Sequence, residues 1–284
     1  MSIKNKLIIN MDFPIARQLF YQEINQPDGS IDLAKAALYM ALEEYPNLEP
    51  EEYLNALDTI ADEVRSRLRA QNYPLRIIQT INSYLYGELQ FAGNDADYYD
   101  PRNSFLNEVI DRRTGIPISL SLVYLEVAKR IDFPMVGIGM PGHFLIRPDF
   151  EDAGIFVDAF NGGEILFPED CQARLSQIYG QPMELQPAFL APVSPRHLLG
   201  RMLGNLKAIY LQQRDALRVL LAIERILLLF PEALGERRDR GILYYQVGRL
   251  AEARHDLELY LRNAPNAPDA ATIRQLVERL DRDM

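Results

Sequence analysis

The 284-residue sequence predicts an α+β protein in three parts: a helical N-terminal block, a core of one central helix with an antiparallel sheet, and an all-α array at the C-terminal end. Three observations carry that class. Apolar residues recur at helical spacing through the first part of the chain. A run over 118–128, apolar nearly all round, is followed by short β-like runs divided by turn formers. Beyond Pro195, aromatic, aliphatic and proline positions repeat at intervals of 34 residues. The expected divisions are 1–95 for the block, 96–186 for the core, 187–195 for a linker and 196–284 for the array.

In the block, Ser30 or Asp32 is expected to cap a helix in which Leu33, Ala36, Ala37, Met40 and Ala41 share a face, ending before Pro46. Pro50-Glu51-Glu52 opens the next helix, with proline near its first position and acids where the helix dipole favours them. Its apolar face is Tyr53, Leu54, Leu57, Ile60, Ala61, Val64 and Leu68. A third helix over 75–89 buries Leu75, Ile78, Ile81 and Leu85, and Gly93-Asn94-Asp95 ends it.

In the core, Asn103 or Ser104 is expected to cap a short helix that Thr114-Gly115 stops. Pro117 then opens the central helix. Strands are expected over 135–139, 143–147, 155–159 and 164–167, with turns at Pro141-Gly142, Pro148-Asp149 and Asn161-Gly162-Gly163. Three prolines over 187–195 mark the linker.

The array resembles tetratricopeptide repeats. Tyr210 and Tyr244, Leu227 and Leu261, and Pro231 and Pro265 each stand 34 apart. Gly241, Tyr244, Ala253 and Pro265 occupy the small, aromatic and breaker positions of a second helix–turn–helix unit, and 271–283 forms the cap.

Hydrophobic residues make up 48% and charged residues 25%, a composition that excludes a disordered or fibrous chain. A net charge of −10 argues against a protein that grips nucleic acid or anionic lipid with its whole surface. One cysteine, Cys171, excludes an internal disulfide framework. No apolar run has the length of a membrane span, and the run in 1–10 is too short for a signal peptide, so a cytoplasmic chain is the expectation. Lys+Arg against Asp+Glu stands at 15 to 28 through Ser194 and 15 to 12 thereafter. That asymmetry fits either attraction between the two parts or an acidic partner for the arginine-rich end.

Three histidines limit the chemistry. H-E-x-x-H, a Cys/His cluster and the P-loop string are all missing, so neither a metal nor a cofactor is expected. Gly137-Ile-Gly139-Met-Pro-Gly142 matches a dinucleotide fingerprint, but a strand-like run follows it where that fingerprint needs a helix N-terminus. His143 and Asp158, 15 residues apart on expected neighbouring strands, can pair so that the carboxylate fixes the imidazole tautomer. Ser119 and Ser121 stand in the first turn of the central helix, where a nucleophile would be placed. Cys171 reads as a small packed residue, although a place in a first helical turn would activate it somewhat. His197 and His255 read as helix-surface residues. Arg112 and Arg113 read either as favourable charges at a helix C-terminus or as a basic pair beside a pocket, and Asn161 as a hairpin turn or a pocket wall.

Three strings resemble the bacterial SirB-type family: Asn103-Ser-Phe-Leu-Asn-Glu-Val-Ile-Asp-Arg-Arg-Thr-Gly-Ile-Pro-Ile-Ser-Leu-Ser, Pro141-Gly-His-Phe-Leu-Ile-Arg and Val157-Asp-Ala-Phe-Asn-Gly-Gly. The resemblance implies a transglutaminase-like, papain-like core followed by tetratricopeptide repeats. It also implies a Cys-His-Asp pattern in which His143 and Asp158 are the second and third members. The cysteine's place falls near Ser119, judged from its distance to Asp132-Phe133-Pro134, so the chain departs from the pattern at its nucleophile. A serine hydroxyl does not ionise as a thiol does, and it needs an aligned base and an oxyanion hole.

Two functions follow. The first is a non-catalytic, vestigial transglutaminase-like core whose repeats hold a protein or peptide partner, with no nucleic-acid or membrane role. The second is a serine-type hydrolase or acyltransferase using Ser119, His143 and Asp158.

Overall fold

The structure is a computed structural model that describes residues 13–68, 73–150 and 154–283. The N-terminal stretch 1–10, read above for a leader, lies outside these. The chain divides into two compact units, Met1–Met202 and Leu203–Met284.

In the first unit the chain opens with α1 (Ile15–Ile24), α2 (Leu33–Ala41), α3 (Pro50–Arg67) and α4 (Pro74–Asn82). Asp32 caps α2 by accepting the Lys35 N–H at 3.0 Å, as expected. The helix expected over 75–89 is shorter: past Asn82 the backbone loosens into a π-turn, Ser83–Glu88, in which the Leu89 N–H donates to the Tyr84 carbonyl. Strand β1 (Ala92–Gly93) follows, then a 3-10 turn over Pro101–Ser104, α5 (Leu106–Arg112) and β2 (Thr114–Gly115), which pairs with β1 in parallel. The N-cap of α5 is Phe105, not Asn103 or Ser104; both polar residues belong to the preceding turn, where they are fully buried. Arg113 ends the helix in the left-handed region, at φ 53°.

Helix α6 (Pro117–Arg130) is the centre of this unit, and every residue from Pro117 to Ala128 is buried. It packs against α2, α3, α4 and α5 and against strands β3 (Met135–Ile138) and β4 (Leu145–Pro148). Burial from all sides is why its sequence lacks a polar stripe.

The sheet continues with β5 (Phe156–Asp158) and β6 (Glu164–Leu166), followed by α7 (Pro168–Tyr179). Its order is β6-β5-β4-β3-β7, antiparallel throughout, where β7 is Pro192–Val193. The segment read as a linker thus carries a 3-10 turn, Pro187–Leu190, and a sheet-edge strand, where prolines are tolerated.

Helix α8 (Pro195–Gln213) runs through the division between the units. The second unit holds its remainder with α9 (Ala216–Leu229), α10 (Leu234–Gln246), α11 (Leu250–Asn263) and α12 (Ala270–Asp283). Neighbours pack in sequence, α9 on α10, α10 on α11 and α11 on α12. Pro231 and Pro265 lie just beyond α9 and α11, which accounts for their 34-residue spacing. Several basic residues here meet acids of the same unit. Lys207 bonds Glu236 and Asp239 at 2.7 and 2.8 Å, and Arg240 grips the buried Asp256 with two bonds of 2.6 and 2.9 Å.

Among the described residues no helix is long and apolar enough to cross a membrane, and no group of His, Cys, Asp or Glu could hold a metal ion.

Candidate functional site

The site forms where the turn before β4 meets the end of β5. His143 lies in that turn rather than on the strand, two residues before β4 begins at Leu145. Its Nε2 stands 2.8 Å from Oδ2 of Asp158, the last residue of β5. Both residues are buried, Asp158 completely. An ionised carboxylate only accepts, so Nε2 is the donor in this bond.

Asp158 is held from several sides. Its Oδ1 accepts the Phe160 and Asn161 N–H groups at 3.1 and 3.3 Å, and its Oδ2 accepts the Asn161 side-chain amide at 2.9 Å. Arg174 on α7 places Nη1 3.5 Å from the same Oδ2 and bonds Glu164 at 2.5 Å. Burial pushes the Asp158 carboxyl upward, but His143, Asn161 and Arg174 together hold it below the usual carboxylate range. The loop that presents Asn161 needs glycine: at Gly163, φ is 74°, and a Cβ would strike the Asn82 side chain, whose amide bonds the Gly163 carbonyl at 2.6 Å.

His143 lines a cleft of about 350 Å³ with Asp95, Phe160, Asn161, Arg174, Gln177 and Ile178. The Phe160 ring meets the imidazole edge-on, centroids 6.2 Å apart, and Tyr98 stacks edge-on against Phe160.

Ser119 is occupied elsewhere. At the third position of α6 its Oγ accepts the Ile116 N–H at 3.1 Å, one half of a capping box. The same hydroxyl donates to the Asn103 carbonyl at 2.5 Å, with the Ile116 carbonyl a longer 3.1 Å away. Neither partner is His143, and the side chain is fully buried. Asn103 in turn donates to the Asp97 and Tyr98 carbonyls and accepts from Asn94, tying the loop that bears Asp95 to the start of α6. Ser121, the other serine of that turn, is buried without a side-chain partner among the described residues.

The remaining sequence expectations divide. Asn161 lines the cleft. Arg112 and Arg113 do not: Arg112 stands 3.5 Å from Asp100, and Arg113 donates to the Leu89 carbonyl. Cys171 does lie in the first turn of α7, but it is not activated there. Burial first, then the Asp170 and Asp158 charges, push its thiol up to about 12, which leaves it a packed apolar group. His197 and His255 are exposed, as expected. Arg174, Gln177 and Ile178 were not anticipated, because α7 has no feature in sequence that aims it at His143.

The likeness to known proteins covers both units. Residues 51–204 match the transglutaminase-like superfamily, and residues 206–278 match the tetratricopeptide repeat. A UPF0162 protein of Xylella fastidiosa is 36% identical over 251 residues, 87% of this chain and 89% of the relative. One from Pseudomonas aeruginosa is 32% identical over 226 residues, 80% of this chain and 82% of the relative. F-box only protein 21 of Homo sapiens is 33% identical over 191 residues, 61% of this chain and 28% of that longer protein. No solved structure matches. With a transglutaminase-like region over more than half its length, repeats after it, and relatives aligned nearly end to end, the chain belongs to the UPF0162 family of transglutaminase-like proteins with C-terminal tetratricopeptide repeats, in keeping with the SirB-type resemblance of its motifs.

Proposed function

We propose that this chain is a non-catalytic interaction protein. Its transglutaminase-like cleft keeps a histidine–aspartate pair for binding and its repeats offer a surface to a protein partner. One observation carries the reading: the Ser119 hydroxyl gives its proton to Asn103 and takes one from Ile116, so it is spent on capping α6. Acyl transfer needs a nucleophile within ~3–3.5 Å of its base. Cys171, the only thiol, is buried and held protonated.

The ion pairing within the second unit weighs against a partner chosen for its acidity there. Lys207, Arg237, Arg238, Arg240, Arg249 and Arg254 each have a carboxylate of their own unit within reach. The repeats then recognise shape and apolar contacts more than charge.

The serine-type hydrolase or acyltransferase remains the competing reading, favoured by the His143–Asp158 bond. A serine-directed fluorophosphonate separates the two. The unmodified chain is expected to resist labelling and to leave amide and ester substrates intact. Stoichiometric labelling lost in Ser119→Ala, or hydrolysis lost in His143→Ala, would overturn the non-catalytic reading.

A further inference from the structure

The cleft beside His143 carries a charge that its own residues leave unanswered. Asp95 lines it, is exposed, and has no cation or hydrogen-bond donor on its carboxylate among the described residues. The backbone that presents Asp95 is nonetheless held. The Asn94 N–H donates to the Gly115 carbonyl at 2.9 Å, its side-chain amide donates to Asn103 at 3.1 Å, and its Oδ1 accepts the Asp97 N–H at 3.0 Å. Little backbone freedom is left to lose when a ligand meets Asp95.

Other groups of the lining turn acceptors toward the same space. Asp158 is ionised and only accepts, so Asn161 bonds it through Nδ2 at 2.9 Å. The Asn161 Oδ1, at the opposite end of that amide, accepts no hydrogen bond among the described residues. Gln177, exposed on α7, leaves its side-chain amide unpartnered as well. The lining's guanidinium is already committed: Arg174 bonds Glu164 at 2.5 Å through Nη2 and places Nη1 3.5 Å from Asp158. Arg174 thus answers Glu164 and Asp158 and leaves Asp95 without a cation. Phe160 adds an aromatic ring to the lining and Ile178 an apolar side chain. The imidazole is fixed from outside the lining too, where Arg201 on α8 donates from Nη2 to the Met140 and His143 carbonyls at 3.0 and 2.6 Å.

We propose that this cleft receives the arginine side chain of a peptide, with the guanidinium paired to Asp95 and Phe160 as the aromatic wall beside it. This rests on the reading of the cleft as a binding site, and names what enters it. Four acceptor oxygens, two on Asp95 and one each on Asn161 and Gln177, outnumber the donors of an ammonium, whereas the fork of a guanidinium supplies enough. A guanidinium also pairs with a carboxylate through two parallel bonds, stacks on aromatic rings, and is less strongly hydrated than an ammonium. A volume of about 350 Å³ is at the lower end for ligand pockets and suits a side chain better than a cofactor. Through Ser194 the chain carries 28 acidic against 15 basic residues, an excess that draws cations toward this part of the molecule.

The test is an NMR titration of the full chain with acetyl-arginine amide, following the Asn161 side-chain amide and the His143 ring. Acetyl-lysine amide tests the shape of the cation and acetyl-glutamine amide tests the charge, all at matched ionic strength. Saturable shifts are expected with the arginine probe, about tenfold tighter than with the glutamine probe and severalfold tighter than with the lysine probe. Asp95→Asn should weaken the arginine probe by about tenfold with circular dichroism unchanged, since Asp95 is exposed. Equal binding of the glutamine probe, a lysine probe that binds as tightly or more so, shifts that never saturate, or an affinity unchanged in Asp95→Asn would overturn the proposal. Hydrolysis of acetyl-arginine ethyl ester, lost in His143→Ala, would overturn the non-catalytic reading alone and leave the arginine site standing.

Discussion

Ser119 donates its hydroxyl proton to the carbonyl of Asn103 across 2.5 Å, and its lone pairs meet the Ile116 N–H at 3.1 Å. The serine that the family resemblance sets near the nucleophile's place thus joins the 3-10 turn at Pro101–Ser104 to the first turn of α6. Ser119→Ala leaves a buried carbonyl and a helix N-terminal N–H without that partner. It should lower stability by about 2–3 kcal/mol in urea unfolding while leaving the His143 cleft's ligand binding intact. A loss of binding at unchanged stability would assign Ser119 to the site instead.

Asp158 gives a pH prediction. Its native pKa is depressed, so its stabilisation is fully present above the unfolded value of about 3.9 and is lost as pH falls through the lower native value. Asp158→Asn should cost about 2–4 kcal/mol at pH 7, because His143, Arg174 and two backbone N–H groups lose a charged partner. The difference between wild type and variant should shrink below about pH 4. A difference independent of pH would show that the carboxylate's charge is not what matters.

Cys171 supplies a third. Its thiol, fully buried and pushed up to about 12, should react with iodoacetamide at pH 8 only after denaturation. Prompt labelling of the native chain would contradict its packing against Ile138, Leu145 and Leu175.

Asp256 tests the repeat unit. It is 1% exposed and bonded by Arg240, with Arg237 3.5 Å away. Asp256→Ala should destabilise by about 3–5 kcal/mol, since it strands a covered guanidinium. A mild effect would mean that the arginines reach water.

Much of this architecture was legible in the sequence, for a physical reason. The helix α6, apolar on every side, announced its own burial, and Pro50 and Pro117 marked helix starts that the structure keeps. The pairing of His143 with Asp158 was legible because the residues just ahead of β4 come to lie beside the end of β5 once those two strands pair antiparallel. What escaped was set by contacts distant in sequence. Arg174 and Arg201 meet the site from helices with no local pattern to direct them there. The β7 strand hid behind prolines that only an edge position tolerates. Arginine enrichment after Pro195 is a true bias, yet composition alone does not say that Arg240 and Asp256 satisfy each other.

Ser119→Cys decides whether position 119 serves the helix or His143. Its iodoacetamide rate is measured against pH in the native chain, with Cys171 silent as an internal control. A thiol facing the Asn103 carbonyl should be slow and titrate at or above the ~8.5 of a free cysteine, unaffected by His143→Ala. A fast thiol with a depressed pKa that His143→Ala restores would show a working cysteine–histidine pair and place position 119 in the site.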